Sequence, residues 1–339
     1  MSIKAITRIR RLCGGSQAQL MVADDGHEYV IKFQGNPQTT RVLANEYLAG
    51  RLARMIRLNV PEPAIIHVDA ETIRRYDISF QLAGSEIVPP AGLHFGSWLI
   101  VDEEVHDWLP TLWLGKINNV REFAGILAFD NWTGNVDGRQ VVFHKRCSQR
   151  KYTAAFIDFG YCFNAAEWSF PDSPLRGVYA RQEIYAHIDS WNNFEPWLSR
   201  IEGCSMGALE GIAEGIPSEW YGDRQDMDQL IDSLFERRAA VRQLIEDLRK
   251  SHRNPFPNWE SHPAASTHPI TAKSRDHDLS AHKAYRKEES ATVCDRLPRS
   301  RLPRTNTGVQ SRSPRLARIL HKVWSSRCTP LFNSLEEFI

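Results

Sequence analysis

Hydrophobic periodicity ends near Glu260, and that limit fixes how much of the 339-residue chain can build a core. Beyond it Ser, His, Pro, Arg and Thr dominate and the periodicity is lost to about residue 312, so residues 260–339 are expected to form a mostly disordered tail. Residues 1–259 suffice for a sizeable core. The net charge of +1 conceals an asymmetry across the same boundary: residues 261–339 carry 14 Lys and Arg against 7 Asp and Glu, and the remainder carries 28 against 34. The chain is an acidic body with a basic tail. Near the end "PRLARILHKVW" has the spacing of a short basic amphipathic helix.

The patterning before Glu260 changes once. In "AQLMVADDGHEYVIKF" two strand-like runs flank an Asp25-Gly26 turn signal, which predicts a hairpin over residues 18–33. "NEYLAGRLARMIRL" places Leu48, Leu52 and Met55 on one helical face. Two prolines in "NVPEPAIIHV" lead into another strand, and "SFQLA" and "GSWLIVDEE" read as short strands. Residues 1–101 are thus a small β-rich segment with one main helix. From "VREFAGILAFDNW" onward, over 102–259, helices and loops take over, and "QLIDSLFERRAAVRQLIEDLRK" reads as one long helix. The expected class is α+β.

Several functions are excluded. No run of about 18 apolar residues exists, so no membrane helix is expected. "MSIKAITRIRRLC" is basic without an apolar h-region, which predicts no signal peptide. The six cysteines form no CxxC pair and have no His partners at zinc spacing, consistent with a reducing cytoplasm. "GCSMG" fits G-x-S-x-G, but charged "WLSRIE" precedes it where a nucleophile elbow needs a buried strand.

What remains is ordered as phosphoryl transfer from ATP requires: a phosphate cradle, a cation, metal-binding carboxylates and a group that orients the nucleophile. Gly14 and Gly15 in "CGGSQAQ" let backbone N–H groups approach phosphate oxygens, and Ser16 adds a hydroxyl; a plain Gly-rich turn has the same letters. Lys32 lies within an apolar strand, as a phosphate-directed cation or as a side chain snorkelling from a sheet edge. Glu46 lies 14 residues on, on a helix face of small residues. Asp130 and Asn135 in "FDNWTGN" have the Asp-x4-Asn spacing of a kinase catalytic loop, or form an Asx-rich turn ending a helix. Asp158 in "AAFIDFG" follows a strand-like run, where a carboxylate would face a metal–phosphate complex. Asp137 and Arg139 in "NVDGRQ" read as an Asp-Gly turn.

The sequence also resembles the HipA-like kinases over about residues 8–259. "GGSQA" is like that family's Gly-Ala-Gln phosphate loop, and "NEYLAGRLARMIRLNVPEPAII" resembles its helix-to-strand run after the nucleotide lysine. The resemblance implies a two-lobed, protein-kinase-like fold with a β-rich N-lobe and a mainly helical C-lobe. It implies ATP held by Gly14, Gly15, Ser16, Gln17 and Lys32, the last paired with Glu46. Asp130 would be the catalytic aspartate, and Mg²⁺ would be bound by Asn135 and Asp158. It further implies transfer to serine or threonine of a protein substrate, with neither direct nucleic-acid binding nor membrane attachment. The aromatic stretch "EWSFPDSPLRGVYARQ" is where such a kinase positions a peptide, with Trp168, Phe170 and Tyr179 as lining or as packing. The extra N-terminal domain of the family's toxin is missing and "AFD" replaces His-Arg-Asp, so neither a toxin role nor a DNA-binding antitoxin partner carries over. A small-molecule phosphotransferase, and an inactive nucleotide-binding pseudokinase acting as an interaction module, are the alternatives.

Overall fold

The structure, a computed structural model, describes residues 3–173 and 176–259. The expected tail and its terminal helix lie outside the described residues.

The first strands are β1 (Ile3–Arg11), β2 (Gln19–Ala23) and β3 (Glu28–Lys32). Helix α1 (Arg41–Met55) and strand β4 (Pro63–Val68) follow, then helix α2 (Ala70–Arg75), the hairpin β5 (Phe80–Leu82) and β6 (Ser85–Ile87), and β7 (Gly92–Trp98). Five of these strands close a barrel in the order β1-β2-β3-β7-β4. Its seam is a short parallel pairing, Ile3 with Ile66 and Lys4 with His67. The expected hairpin is β2–β3, turning where Gly26 takes a positive φ of 81° and donates to Ala23 O at 3.0 Å. Met21, Tyr29, Ile31, Phe33, Ile66 and Phe80 fill the interior. β7 passes Ile66 so closely that a Cβ on Gly96 would stand 2.5 Å from Ile66 Cγ1.

The remainder comprises β8 (Glu104–His106), α3 (Glu122–Thr133), β9 (Gln140–Lys145), β10 (Thr153–Ile157), α4 (Trp197–Glu202), α5 (Met206–Ala213), α6 (Arg224–Arg237) and α7 (Val241–Lys250). β10, β9 and β8 form a separate antiparallel sheet. Every residue of α3 from Phe123 to Thr133 is buried, as expected of a helix apolar all round. Gly125 lets α4 approach, since a Cβ there would meet Trp197 Cδ2 at 2.4 Å. The large core also takes Leu43, Leu48 and Leu52 from α1 and reaches Phe256 and Trp259.

Two expectations change. The long helix over 229–250 is two helices, α6 and α7, separated at Arg238–Ala240. Arg237 donates to the carbonyls of Asn131 and Trp132, and Arg238 turns to Cys204 O, so contacts with other elements override helix propensity there. The strand expected over "GSWLIVDEE" ends at Trp98, and Glu104–His106 joins the other sheet. The hydrolase exclusion has a structural counterpart: a helix precedes "GCSMG", and Ser205 caps α5 by accepting from Ala208 N. Cys147, Cys162 and Cys204 are thiols. Among the described residues no helix is long and apolar enough to cross a membrane.

Candidate active site

Lys32 ends β3, and its ammonium is buried between two carboxylates. It donates to Glu46 Oε1 and, at 3.0 Å, to Asp158 Oδ1. Glu46 reaches over from α1, and its second oxygen accepts from Phe159 N at 2.9 Å. Burial works against the lysine charge, but Asp158 and Glu46 outweigh it and hold the Lys32 pKa above its ordinary value. Burial raises the Glu46 pKa; Lys32 opposes this and Asp158 adds to it. Asp158 feels the same burial, yet Lys32 chiefly holds its carboxyl low.

Asp158 stands just past β10 with a left-handed φ of 61°, which points its side chain out of the strand line. Its Oδ2 accepts from Gln140 Nε2 at 3.1 Å. Gly160 then passes against α1 where a Cβ would lie 2.7 Å from Val42 Cγ1 and 3.3 Å from Glu46 Oε1. The glycine of "IDFG" is thus required by close approach.

The second group is built on the end of α3. Asp130 lies in the last turn with its side chain 0% exposed, and Arg139 grips it with two nitrogens, Nε at 3.0 Å from Oδ2 and Nη2 on Oδ1. Burial raises the Asp130 pKa against the pull of Arg139. Asn135 Nδ2 adds a bond to Asp130 Oδ1 at 3.1 Å, after the chain reverses at Gly134 (φ 59°). Asn135 Oδ1 accepts from Asp137 N at 3.1 Å. Arg139 also donates to the carbonyls of Ile157 (2.8 Å) and Asp158 (3.1 Å) and stacks over the Phe159 ring at 4.5 Å. It ties the Asp130 loop to the Asp158 turn. The exposed carboxylate of this loop is Asp137.

The glycine loop forms a turn with Gly14 at φ 133° and Gln17 N on Gly14 O at 3.0 Å. Ser16 is buried. The Gln17 amide is engaged by β5: Nε2 donates to Gln81 O (2.8 Å) and Oε1 accepts from Gln81 N (3.0 Å). The loop thereby hangs on the β5–β6 hairpin with its Gly14–Gly15 backbone uncommitted to β5. Leu12, Ala18, Leu20, Val30 and Leu99 form a small apolar cluster beside it.

The structure therefore brings Lys32, Glu46 and Asp158 into one network and Asp130 and Asn135 into another, with Arg139 joining the two. Asp137 and Arg139 were legible only as an Asp-Gly turn, and Gln140 was not singled out. Asn45, discussed below, was overshadowed by Glu46 beside it. Among the described residues no cluster of three or more His, Cys, Asp or Glu could cage a metal.

The family model for HipA-like kinase matches residues 3–252. The chain belongs to the HipA-like kinase family. No curated protein sequence matches the chain. Among solved structures it is similar to a Helicobacter pylori proinflammatory kinase, CtkA, at 13% identity and TM-score 0.49, over 74% of this chain and 99% of that one. It is also similar to the Golgi casein kinase with Mn/ADP bound, at 11% identity and TM-score 0.44, over 74% of each chain. Hydra Fam20 with sugar aligns at 11% identity and TM-score 0.44, over 74% and 86% of the two chains. As a HipA-like kinase the protein is a kinase-like phosphotransferase.

Proposed function

We propose that the protein is an ATP- and Mg²⁺-dependent kinase that transfers the γ-phosphate to a serine or threonine hydroxyl of a protein in the cytoplasm. The nucleotide would sit between the barrel and the helical part, the two lobes of the expected fold. The observation that carries this reading is the buried Lys32–Glu46–Asp158 network. Withdrawing three charged groups from water is costly, and a purely structural interior would be better served by apolar packing. A site that must neutralise polyphosphate needs a fixed cation beside a fixed metal-seeking carboxylate.

In this reading Lys32 contacts a phosphate oxygen, with Glu46 holding its ammonium in place. Asp158 holds the metal, assisted by a second oxygen ligand from the Asn135 loop. The metal, when bound, neutralises charge on the transferred phosphate. Gly14, Gly15 and Ser16 lie along the phosphates, and the Leu12–Leu20–Val30–Leu99 cluster would receive the base. Two carboxylates compete for the acceptor hydroxyl. The Asp-x4-Asn spacing names Asp130, but a sealed carboxylate gripped by Arg139 has no path to an acceptor. Exposure favours Asp137, with Asp130 acting through Arg139 as a positioning residue.

The test is transfer from γ-labelled ATP by purified protein, with and without Mg²⁺, into protein and into small metabolites of a host lysate. Metal-dependent labelling of serine or threonine is expected. Labelling of a metabolite alone would make it a small-molecule kinase. Nucleotide binding without transfer would make it a pseudokinase.

A further inference from the structure

Directly before Glu46 on α1, Asn45 is fully buried and uses its whole amide on the segment that follows Asp158. Its Nδ2 shares its two N–H groups among Gly160 O (2.8 Å), Cys162 O (3.1 Å) and Ala165 O (2.7 Å). Its Oδ1 accepts from the Trp168 indole N–H at 2.8 Å. The indole can only donate, which fixes the orientation of the amide. One turn earlier Arg41 supports the same segment, donating to Ala166 O at 2.9 Å with its guanidinium 4.6 Å over the Trp168 ring.

The segment thus held is strained. Phe163, Asn164, Ala165 and Trp168 all have positive φ, between 48° and 59°, and Ala165 combines φ 59° with ψ −115°, outside the left-handed helical well. Side chains other than glycine persist in such conformations only where the surroundings over-determine them. The carbonyls that Asn45 ties together are those of the strained stretch and its entry. Phe163 meanwhile is buried in the core, so the segment is fixed at the Asn45 amide and at one buried ring.

We infer that Asn45 is a positioning residue, a clamp that makes the α1 helix and the segment after Asp158 adopt the active arrangement together. Glu46 sets the ammonium of Lys32 and the Phe159 amide from the same turn of α1. A shift of α1 would therefore disturb Lys32 and the segment at once. The segment runs on to Arg176 and Gly177, and a Cβ on Gly177 (φ 76°) would stand 2.4 Å from Asp130 Cβ. Within the clamped stretch itself, Asn164 N donates to Gly134 O at 3.2 Å, which joins it to the turn between Asp130 and Asn135. The functional half of this inference rests on the kinase reading; the structural half does not.

The experiment uses the full chain and two readouts. Amide hydrogen exchange is followed peptide by peptide in wild type, Asn45→Ala, Trp168→Phe and Asn45→Ala/Ala165→Gly. Transfer from labelled ATP to protein of a host lysate and to the chain itself gives kcat and the KM for ATP. Asn45→Ala should speed exchange over residues 160–168 by about tenfold or more and leave α6 and α7 unchanged, as expected when several buried hydrogen bonds are lost locally. Its kcat should fall about tenfold while the KM for ATP moves less than about threefold, since the fault lies in positioning. Ala165→Gly in the Asn45→Ala background relieves the strain and should recover part of that kcat. If Asn45→Ala does not fold, Trp168→Phe removes one bond of four and should speed exchange over the same residues by about threefold. Unchanged exchange at 160–168, or exchange accelerated equally in α6 and α7, overturns the clamp. Local acceleration with unaltered kcat overturns its functional role. A wild type that transfers no phosphate sinks the kinase reading alone, because the exchange arm still decides the clamp.

Discussion

Lys32 is worth most to the protein as a charge between two carboxylates. Lys32→Met would leave Glu46 and Asp158 facing each other in a buried site. Stability should fall by about 3 kcal/mol, the lower end for breaking a buried ion pair, read as a shift in urea midpoint. MgATP binding, measured by calorimetry, should be lost with it. Asp137 and Asp130 separate two roles by the same means. Asp137→Asn should keep its stability and its affinity for MgATP while turnover falls by on the order of 10²-fold or more. Asp130→Asn strands the buried Arg139 guanidinium and should lower the urea midpoint by about 3–5 kcal/mol. If Asp130→Asn instead folds with full stability and no turnover, the acceptor role belongs to Asp130. Lys32, Glu46 and Asp158 were legible because each has a type and an order that phosphoryl transfer demands. Arg139 was not, because an arginine after Asp-Gly looks like any turn residue until the fold shows it reaching Asp130 and the Asp158 carbonyl.

At the scale of elements, legibility followed burial. The β2–β3 hairpin and α1 carry apolar residues where their neighbours need them, so periodicity found them. β1 does the reverse: Ile6 and Ile9 are 50% and 41% exposed, and Ala5 is its one fully buried residue, so the strand shows little inward pattern. The α6–α7 break was illegible because Arg237 and Arg238 are ordinary helix formers whose partners lie on α3 and beside α5. On β7, His94 is fully buried against Phe33, with Nδ1 accepting from Gln34 N at 3.1 Å. Burial lowers its pKa from 6.5 to about 3. The unfolded chain therefore binds a proton from pH 6.5 downward that the folded barrel refuses, and stability falls with pH until the folded pKa is reached. Between pH 7.5 and 5.5 this histidine should cost about 1.4 kcal/mol. The measurement is the pH dependence of the urea midpoint in wild type minus that in His94→Gln; equal slopes would show that His94 titrates alike in both states.

For the whole molecule the question is where the folded body ends. The family match stops at residue 252, but the packing continues. Phe256 and Trp259 are 1% and 9% exposed and close an aromatic cluster with Trp191 and Phe194, the Trp191 and Trp259 rings meeting edge-on at 5.0 Å. Arg249 covers the Trp259 ring at 5.4 Å, and Asn258 Nδ2 donates to Ala186 O at 2.6 Å. These contacts belong to the same core as α3, so the folded body extends past the family match at least to Trp259. Two truncations separate the alternatives. A chain ending at Trp259 should keep the melting temperature and the MgATP affinity of the full protein, because it retains every core residue described. A chain ending at Asn254 loses two large buried rings and should be destabilised by at least about 3 kcal/mol, the cost of emptying one such site. Nucleotide affinity lost in the chain ending at Trp259 would mean that residues 260–339 complete the site, and the body would then have to be redefined to include them.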